Sequence, residues 1–335
     1  MKTAVKPSGL YQQAMDIGGQ WRSTTSTLFE LASHFYEDLL KSVLMTGGLS
    51  GEDFQLYRRA MEAVETMRLI TRSHVDVFWA RDYDLEKGTH ERYMRYSGCY
   101  LGAMLMLGAD VIERRHYLNT EEKRRAIEQA IRHREMAEAL TETCYRESNR
   151  SQTGLGSAKF YPDGVEDGHF IYKEIENRRF NLRFAAHFLV FSRFLTCFHF
   201  SPELAQSYFV LWRTTGDPKY REYAWEMAQA IDRHCRTPNG GFAGLKNVND
   251  TEEGFTNHQP ELFLSGTLKY LFLTFSDTKL FPLDQWVFNS AGHPLPICGG
   301  HSTYPQSLCK VADFEYKPER KASFLSRKTN KDFKG

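Results

Sequence analysis

One carboxylate in this sequence stands in a setting that could do chemistry. Glu203 follows Pro202 within the aromatic-rich run FSPELAQSYFVLWRTTGDPKY, residues 200–220. A carboxylic acid serves in proton transfer when its surroundings bring its pKa near the working pH. The alternative is structural, because an acid in the first turn of a helix is stabilised by the helix dipole. These residues alone leave both interpretations open.

The composition narrows the class of protein. With 43 basic and 42 acidic residues the net charge is +1, so nothing indicates a nucleic-acid or membrane-surface partner. A hydrophobic content of 41% in 335 residues predicts a globular chain with one large core or two modest ones. The N-terminal residues show no apolar run behind their basic residue, so we expect no signal peptide, and no segment reads as a membrane span. The cysteines lack CxxC spacing, which disfavours the common zinc and redox sites.

The elements that must position Glu203 are helices, because apolar residues recur at intervals of three and four. Turn residues separate these segments into pairs, at about 27–70, 92–148 and 200–240. We therefore predict an all-α protein of stacked helical hairpins, curved into an array or barrel. Residues 1–26 stay unassigned, and the charge-rich segment 298–335 is predicted to be disordered. The apolar stripes are Leu28, Leu31, Phe35 and Leu39; Tyr220, Ala224, Met227 and Ile231; and Leu264, Leu268, Leu271 and Phe275.

Several runs occur in an order and spacing that identify a family: FYEDLLKSVLMTGG, RTTGDPKYREYAWEMAQAI, TPNGGFAGLKNV, LKYLFLTFSD and FPLDQWVFNSAGHPLPI. Residues 27–297 thereby resemble glycoside hydrolase family 47, the class I α-1,2-mannosidases. The resemblance implies a partial (αα)7 barrel that trims α-1,2-linked mannose from N-glycans with inversion and holds one calcium ion. It also implies a high-mannose N-glycan or glycoprotein as partner, and the secretory pathway (ER and Golgi) as location.

The resemblance also predicts a loss of catalytic groups. In the family, hairpins ahead of the FYEDLLK helix carry the proton donor, and we expect this chain to lack it. A catalytic aspartate of the family falls on Ser33. Inverting hydrolysis needs one carboxylic acid and one carboxylate roughly 6.5–9.5 Å apart, and a serine supplies neither. We therefore expect weak or absent hydrolysis.

Glu203 is the catalytic carboxylate that remains, in a family motif that reads Leu-Arg-Pro-Glu. Here Ser201 precedes Pro202, whereas Leu182 and Arg183 resemble the front half of the motif. Removing residues 184–201 would restore it, so we predict that this segment is an insertion and that Arg183 is a substrate-binding residue. The alternative is that the segment is a short buried helix of the fold.

The other family positions are also altered. By resemblance Glu261 and Phe263 are candidates for substrate binding, with Glu261 one position from the expected acid. A second family glutamate is replaced by Gln206, and an Asp-His pair by Arg95 and Tyr96. Glu261 and Tyr96 fit solvated or packing roles better than catalytic ones.

The calcium motif of the family survives in part as FNSAGHP, residues 288–294. Ser290 keeps a hydroxyl and a carbonyl, which are the hard oxygen ligands that calcium prefers. The acids that would strengthen the site are replaced, so we expect weak binding. The alternative is that Ser290 and His293 cap a turn.

The family's disulfide falls on Cys99 and Cys144. The alternative is two buried free thiols, and we favour the disulfide if the chain reaches an oxidising compartment.

Three functions stay open: an α-1,2-mannosidase by descent, a glycan-binding pseudoenzyme that has lost its acids, and a truncated gene product without activity.

Overall fold

A computed structural model of the chain describes residues 9–11, 25–28, 31–48, 50–72, 77–84, 86–117, 119–161 and 196–309. Helices dominate these ranges, which confirms the all-α prediction. The helices are α1 (Leu31–Met45), α2 (Gly51–Thr66), α3 (Leu101–Arg114), α4 (Thr120–Arg150), α5 (Glu203–Thr215), α6 (Lys219–Cys235) and α7 (Lys269–Phe275), the last preceded by a π-helical turn, Phe263–Leu268.

The helices form three hairpins, α1 with α2, α3 with α4, and α5 with α6. Helices α3 and α5 lie at the centre, because their sequences are apolar on nearly every side and most of their residues are buried. Helices α2, α4 and α6 alternate apolar and charged residues and bury one face only. The pairing agrees with the segments predicted from the sequence.

The turn between α5 and α6 follows from its residues. Gly216 ends α5 in the left-handed conformation, with φ of 71°, which glycine adopts without steric cost. The carboxylate of Asp217 accepts a hydrogen bond from the backbone N–H of Lys219 at 3.0 Å and so caps α6. The predicted stripe of α6 is buried at all four positions, Tyr220, Ala224, Met227 and Ile231.

The predicted core stripe near α7 is wrong at two of its positions. Leu271 is buried, but Leu264 is 59% exposed and Phe275 is 40% exposed. The reason is that α5 and α6 pack against α7 from one side, and the part of the chain that the structure describes leaves the other side open.

Short strands of two or three residues connect the helices. The strands β8 (Trp286–Phe288) and β9 (Pro294–Pro296) pair antiparallel, with Val287 opposite Leu295, and β8 packs against α1. The first seven strands are β1 (Thr25–Ser26), β2 (Ile70–Arg72), β3 (Phe78–Ala80), β4 (Tyr83–Asp84), β5 (Thr89–His90), β6 (Met94–Arg95) and β7 (Lys159–Phe160).

The segment after β9 differs from the predicted disorder where the structure describes it. Cys298 and Cys309 form a disulfide, and the backbone N–H of Cys298 donates to the carbonyl of Met45 at 2.8 Å, which fixes this segment to the end of α1. Residues 310–335 lie outside the described residues.

Among the helices of the described ranges, none is long and apolar enough to cross a membrane.

Candidate functional site

Helix α5 holds Glu203 in its first turn, directly after Pro202. Ser207, one turn further on, fixes this end of the helix to the neighbouring hairpin. Its hydroxyl donates to the carbonyl of Cys99 at 2.6 Å and accepts from the backbone N–H of Ala103 at 3.0 Å. The position of Glu203 is therefore set by buried hydrogen bonds.

Glu203 has an unusual electrostatic setting. Its Oε2 atom is buried and has no hydrogen-bond partner in the described part of the chain. Burial is the main cause that raises the pKa of Glu203 to about 7, and the charge on Glu37 adds to the rise. Hydrogen bonds from the Glu203 backbone N–H and the Ser201 hydroxyl lower the pKa and so oppose this rise. A carboxyl with such a pKa can both donate and accept a proton near neutral pH.

A second carboxylate lies nearby but is held by two partners. Oε1 of Glu37 lies 2.6 Å from the ammonium of Lys41 and accepts a hydrogen bond from Nε2 of Gln206 at 2.5 Å. All three residues are buried. We call Glu37, Lys41, Ser201, Glu203 and Gln206 the carboxylate cluster.

Buried tyrosines surround the carboxylate cluster. Burial raises the pKa of Tyr96, Tyr100 and Tyr270, and the charge on Glu203 contributes in each case. The Tyr100 hydroxyl is buried without a hydrogen-bond partner among the described residues. The neighbourhood therefore contains neutral O–H groups, which suit recognition of sugar hydroxyls better than they suit binding of a charged ligand.

Two of the sequence-predicted residues cannot be compared with this geometry. Ser33 lies in the first turn of α1, four residues before Glu37. Arg183 lies outside the described residues. Their predicted roles stay predictions.

The suspected insertion, residues 184–201, is described only from residue 196 onward. That part is built into the fold, because Phe198 and Phe200 are fully buried and the Phe198 backbone exchanges hydrogen bonds with Leu245 at 3.0 and 3.1 Å. Ser201, which donates to Glu203, belongs to the same segment. That residues 184–201 are an insertion stays a prediction. The described part of this segment buries its apolar side chains Phe198 and Phe200.

The two substrate-binding candidates beside the π-helical turn lie in different environments. Glu261 is exposed. Phe263 is fully buried, with its ring centroid 4.1 Å from that of Phe200 and 5.3 Å from that of Phe242. The structure thus gives Phe263 a packing role, and its contact with a glycan stays a prediction.

The π-helical turn brings two parts of the candidate site together at Gly266. A Cβ atom on Gly266 would lie 2.7 Å from Cβ of Pro202, so only glycine allows this approach. Gly292, in the loop that carries Ser290, packs against Ser265 and Gly266 from another direction. The start of α5 and the Ser290 loop therefore both pack against the π-helical turn at Gly266.

The calcium fit at Ser290 is poor. Asn289 uses its side-chain oxygen to accept the backbone N–H groups of Ala291 and His293, at 3.1 and 2.8 Å. The ammonium of Lys269 donates to the Gly292 carbonyl at 2.7 Å, which places a positive charge in the loop. No group of three or more acidic, histidine or cysteine side chains in the described ranges is arranged to hold a metal ion.

Cys99 and Cys144 form a disulfide with a Cα–Cα distance of 6.0 Å. It joins the 3-10 turn Tyr96–Tyr100 to α4. Because the Cys99 carbonyl also accepts the Ser207 hydroxyl, the disulfide supports the start of α5 indirectly.

Sequence reasoning missed the contact between Gln206 and Glu37. The spacing of Glu37 and Lys41, four residues apart on one helix, is a signal for an ion pair. Nothing in the sequence indicates that Gln206, on a helix 169 positions away, completes the set.

Comparison with known proteins gives one consistent family. The sequence profile described as glycosyl hydrolase family 47 matches residues 1–297. The human mannosyl-oligosaccharide 1,2-alpha-mannosidase IB is 33% identical over 296 residues, which are 87% of this chain and 40% of that protein. The Drosophila melanogaster mannosyl-oligosaccharide alpha-1,2-mannosidase IA is 32% identical over 309 residues, 92% of this chain and 41% of that protein. The chain spans about two fifths of the length of these relatives.

A solved structure shows the same fold. The alpha-1,2-mannosidase from Trichoderma reesei superposes with a TM-score of 0.62 at 17% identity, over 83% of this chain and 54% of that chain. At this identity the likeness concerns the fold alone, which is a helical barrel.

Proposed function

Because the chain belongs to glycosyl hydrolase family 47, we propose that it is an α-1,2-mannosidase by descent that binds high-mannose N-glycans at the carboxylate cluster and hydrolyses them weakly. One observation carries the proposal. Glu203, the remaining family carboxylate, is fixed at the start of α5 with a buried oxygen that has no partner in the described residues and a pKa of about 7. A carboxyl in that state suits proton transfer to or from a sugar oxygen.

We expect hydrolysis to be weak because the other carboxylates that the reaction needs are replaced or already paired in this chain. Inversion needs a second carboxyl group to complete the pair. Ser33 stands where the family has an aspartate, Gln206 is neutral, and Glu37 is held by Lys41 and Gln206. General acid or base catalysis contributes about 10²–10⁴ per group, so the loss of one group removes much of the acceleration.

Calcium does not enter this proposal as a participant. The loop at 289–293 carries no carboxylate of its own, and the ammonium of Lys269 donates to its Gly292 carbonyl, so we infer weak binding of the ion. No step of the proposed hydrolysis depends on it.

The proposed location is the secretory pathway, and the support is of two kinds. A relative that is 33% identical over 275 residues is named as a human endoplasmic reticulum mannosyl-oligosaccharide 1,2-alpha-mannosidase, and the alignment covers 81% of this chain and 34% of that protein. The two disulfides fit an oxidising compartment.

The test measures binding and turnover together. A high-mannose oligosaccharide is titrated into the protein by calorimetry, and mannose release is assayed beside the Trichoderma enzyme. We expect binding with turnover at least about 10²-fold below that enzyme. Glu203→Gln should abolish the residual turnover, and Ser33→Asp should increase it.

The same test separates the alternatives. Binding without turnover in both the natural chain and Ser33→Asp would favour a glycan-binding pseudoenzyme. Turnover equal to that of the Trichoderma enzyme and unchanged in Glu203→Gln would overturn the proposal. Neither binding nor turnover would favour a product without activity.

A further inference from the structure

Two Asn-x-Ser/Thr triplets occur in the chain, and neither takes part in the carboxylate cluster. They are Asn149-Arg150-Ser151 and Asn249-Asp250-Thr251. A triplet of this type, with any residue except proline in the middle, is the acceptor sequence for an N-linked oligosaccharide. The modified asparagine has to lie at the surface, because the glycan is bulky and hydrophilic. The surroundings of the two asparagines therefore decide which of them can carry a glycan.

Asn249 lies in an exposed turn that the fold holds in place. The residue before it, Val248, is buried, and its backbone carbonyl accepts the Thr153 hydroxyl at 3.0 Å. The backbone N–H of Val248 donates to the carbonyl of Thr196 at 2.9 Å. All three residues of the triplet 249–251 are exposed. The chain thus leaves the core at Val248 and presents the triplet to solvent.

The two acceptor groups of this triplet are not used by the fold. The backbone N–H of Asn249 donates to the side-chain oxygen of Asn247 at 2.9 Å. Within the described ranges, the side-chain nitrogen of Asn249 and the hydroxyl of Thr251 have no hydrogen-bond partner. The carboxylate of Asp250 accepts the backbone N–H of Glu252 at 3.0 Å and so caps the 3-10 turn that begins at Thr251. A glycan on Asn249 would therefore break no contact of the described structure.

Asn149 differs because it takes part in helix packing, although it too is exposed. It lies in the last turn of α4, and its side-chain nitrogen donates to Oε2 of Glu226 on α6 at 3.3 Å. The same carboxylate oxygen accepts the Tyr145 hydroxyl at 2.8 Å. The Ser151 hydroxyl of this triplet donates to the carbonyl of Leu155 at 2.8 Å. A sugar on the Asn149 nitrogen would have to enter the contact between α4 and α6.

We propose that Asn249 is an N-glycosylation site and that Asn149 is not. In the transfer, a bond forms between Nδ2 of Asn249 and C1 of the first sugar of an oligosaccharide carried on a lipid pyrophosphate. The bond between that C1 and the pyrophosphate breaks, the pyrophosphate leaves with the lipid, and the amide nitrogen loses one proton. The modification rests on the secretory location proposed for the chain, and it is independent of hydrolysis at Glu203.

The experiment expresses the full chain behind a cleavable signal peptide in cultured eukaryotic cells, so that the chain meets the lipid-linked donor. Gel mobility is compared before and after treatment with peptide N-glycosidase, and mass spectrometry identifies the modified peptide. We expect one glycan per chain, which is lost in Asn249→Gln and in Thr251→Ala. Thr251→Ser keeps the acceptor triplet and should keep the glycan. Asn149→Gln is the matched control and should also keep it.

The inference would be overturned by a chain that enters the secretory pathway and carries no glycan. It would equally be overturned by a glycan that Asn149→Gln removes, or by a second glycan on the same chain. Circular dichroism checks that each variant folds, and the exposure of Asn249 and Thr251 gives no reason for their variants to unfold.

Failure of the proposed function would give a different result. Thr251→Ala should leave oligosaccharide binding and mannose release unchanged, because Thr251 lies outside the carboxylate cluster. A chain without turnover can still carry the glycan on Asn249. A glycan on the chain with the signal peptide, and none on the protein isolated from its source, would contradict the proposed location and support the assignment of Asn249 as the acceptor.

Discussion

Gln206 donates a hydrogen bond from its side-chain nitrogen to Oε1 of Glu37 at 2.5 Å, and both residues are buried. The contact joins α5 to α1 beside Glu203. A neutral amide at this position leaves Glu37 paired with one cation, Lys41, at 2.6 Å. A second carboxylate in the place of Gln206 would leave two negative charges to share that cation.

We therefore expect Gln206→Glu to destabilise the fold in a pH-dependent manner. Repulsion by Glu37 would raise the folded-state pKa of one carboxyl above its unfolded value, so stability should fall as pH rises above that unfolded value. The loss at pH 8 should be about 1–3 kcal/mol, measured by urea unfolding. Gln206→Met is the control, because it adds no charge, and an equal loss at pH 5 and pH 8 in Gln206→Glu would contradict the reasoning.

The pKa of Glu203 predicts a second pH effect. Because burial raises the folded-state pKa from 4.5 to about 7, the folded protein binds more protons than the unfolded chain between these values. The free energy of unfolding should therefore decrease as pH rises from about 4.5 to 7 and then level off. The decrease should be roughly 3–4 kcal/mol at most, since one pKa unit corresponds to about 1.4 kcal/mol.

Comparison with Glu203→Gln isolates this contribution. The variant carries no titrating group at position 203, so its unfolding free energy should lack that part of the decrease. Parallel stability curves for the two proteins across this pH range would show that the Glu203 pKa is not raised.

Two deletions test the suspected insertion. Removing residues 184–201 takes away Phe198 and Phe200, which are fully buried. Loss of a buried phenylalanine side chain typically costs about 3–5 kcal/mol, so this deletion should lower the melting temperature sharply. Removing residues 184–195 alone should leave stability unchanged or raised if that part is foreign to the fold.

Phe200→Ala is the control for the longer deletion, because it removes one buried ring without changing chain length. A melting temperature that rises on deletion of residues 184–201 would show that the segment is dispensable despite its burial. A large loss on deletion of residues 184–195 would instead show that they are a native structural element.

The two disulfides should differ in how much each contributes to the free energy of unfolding. Cys99–Cys144 spans 45 positions and Cys298–Cys309 spans 11. By the loop-entropy relation their removal should cost about 4 and about 3 kcal/mol, respectively. Paired Cys→Ala substitutions, compared by thermal unfolding, check the order, and a larger loss from the shorter loop would contradict it.

Calcium should have little effect on this protein. The loop at 289–293 has no carboxylate of its own, and Lys269 brings a positive charge to it. We expect a change in melting temperature below about 1 °C in 1 mM calcium, because binding stabilises only when the ligand concentration exceeds its Kd. A clear rise that disappears in Ser290→Ala would show an intact site.

The helical pairs could be predicted because their signals are local. Asp217, Gly216 and the stripe from Tyr220 to Ile231 define a turn and a helix without reference to distant residues. The open side of α7 could not be predicted, because periodicity shows that a face is apolar and does not show whether its partner is present. Leu264 illustrates this difference.

The candidate site could be predicted only where its signal is local in the sequence. Glu203 stands out by its motif, but its pKa depends on burial and on Glu37, which lies 166 positions earlier in the sequence. Phe263 was assigned from a motif position, and its burial between Phe200 and Phe242 is a property of packing.

The π-helical turn Phe263–Leu268 bears on how this protein can change in evolution. A π turn accommodates one more residue than an α turn. Loss of a single residue from it would restore the α-helical path, while Glu261 before the turn and Lys269–Phe275 after it keep their directions. A one-codon deletion in the turn would therefore be absorbed without rebuilding the helix that follows it.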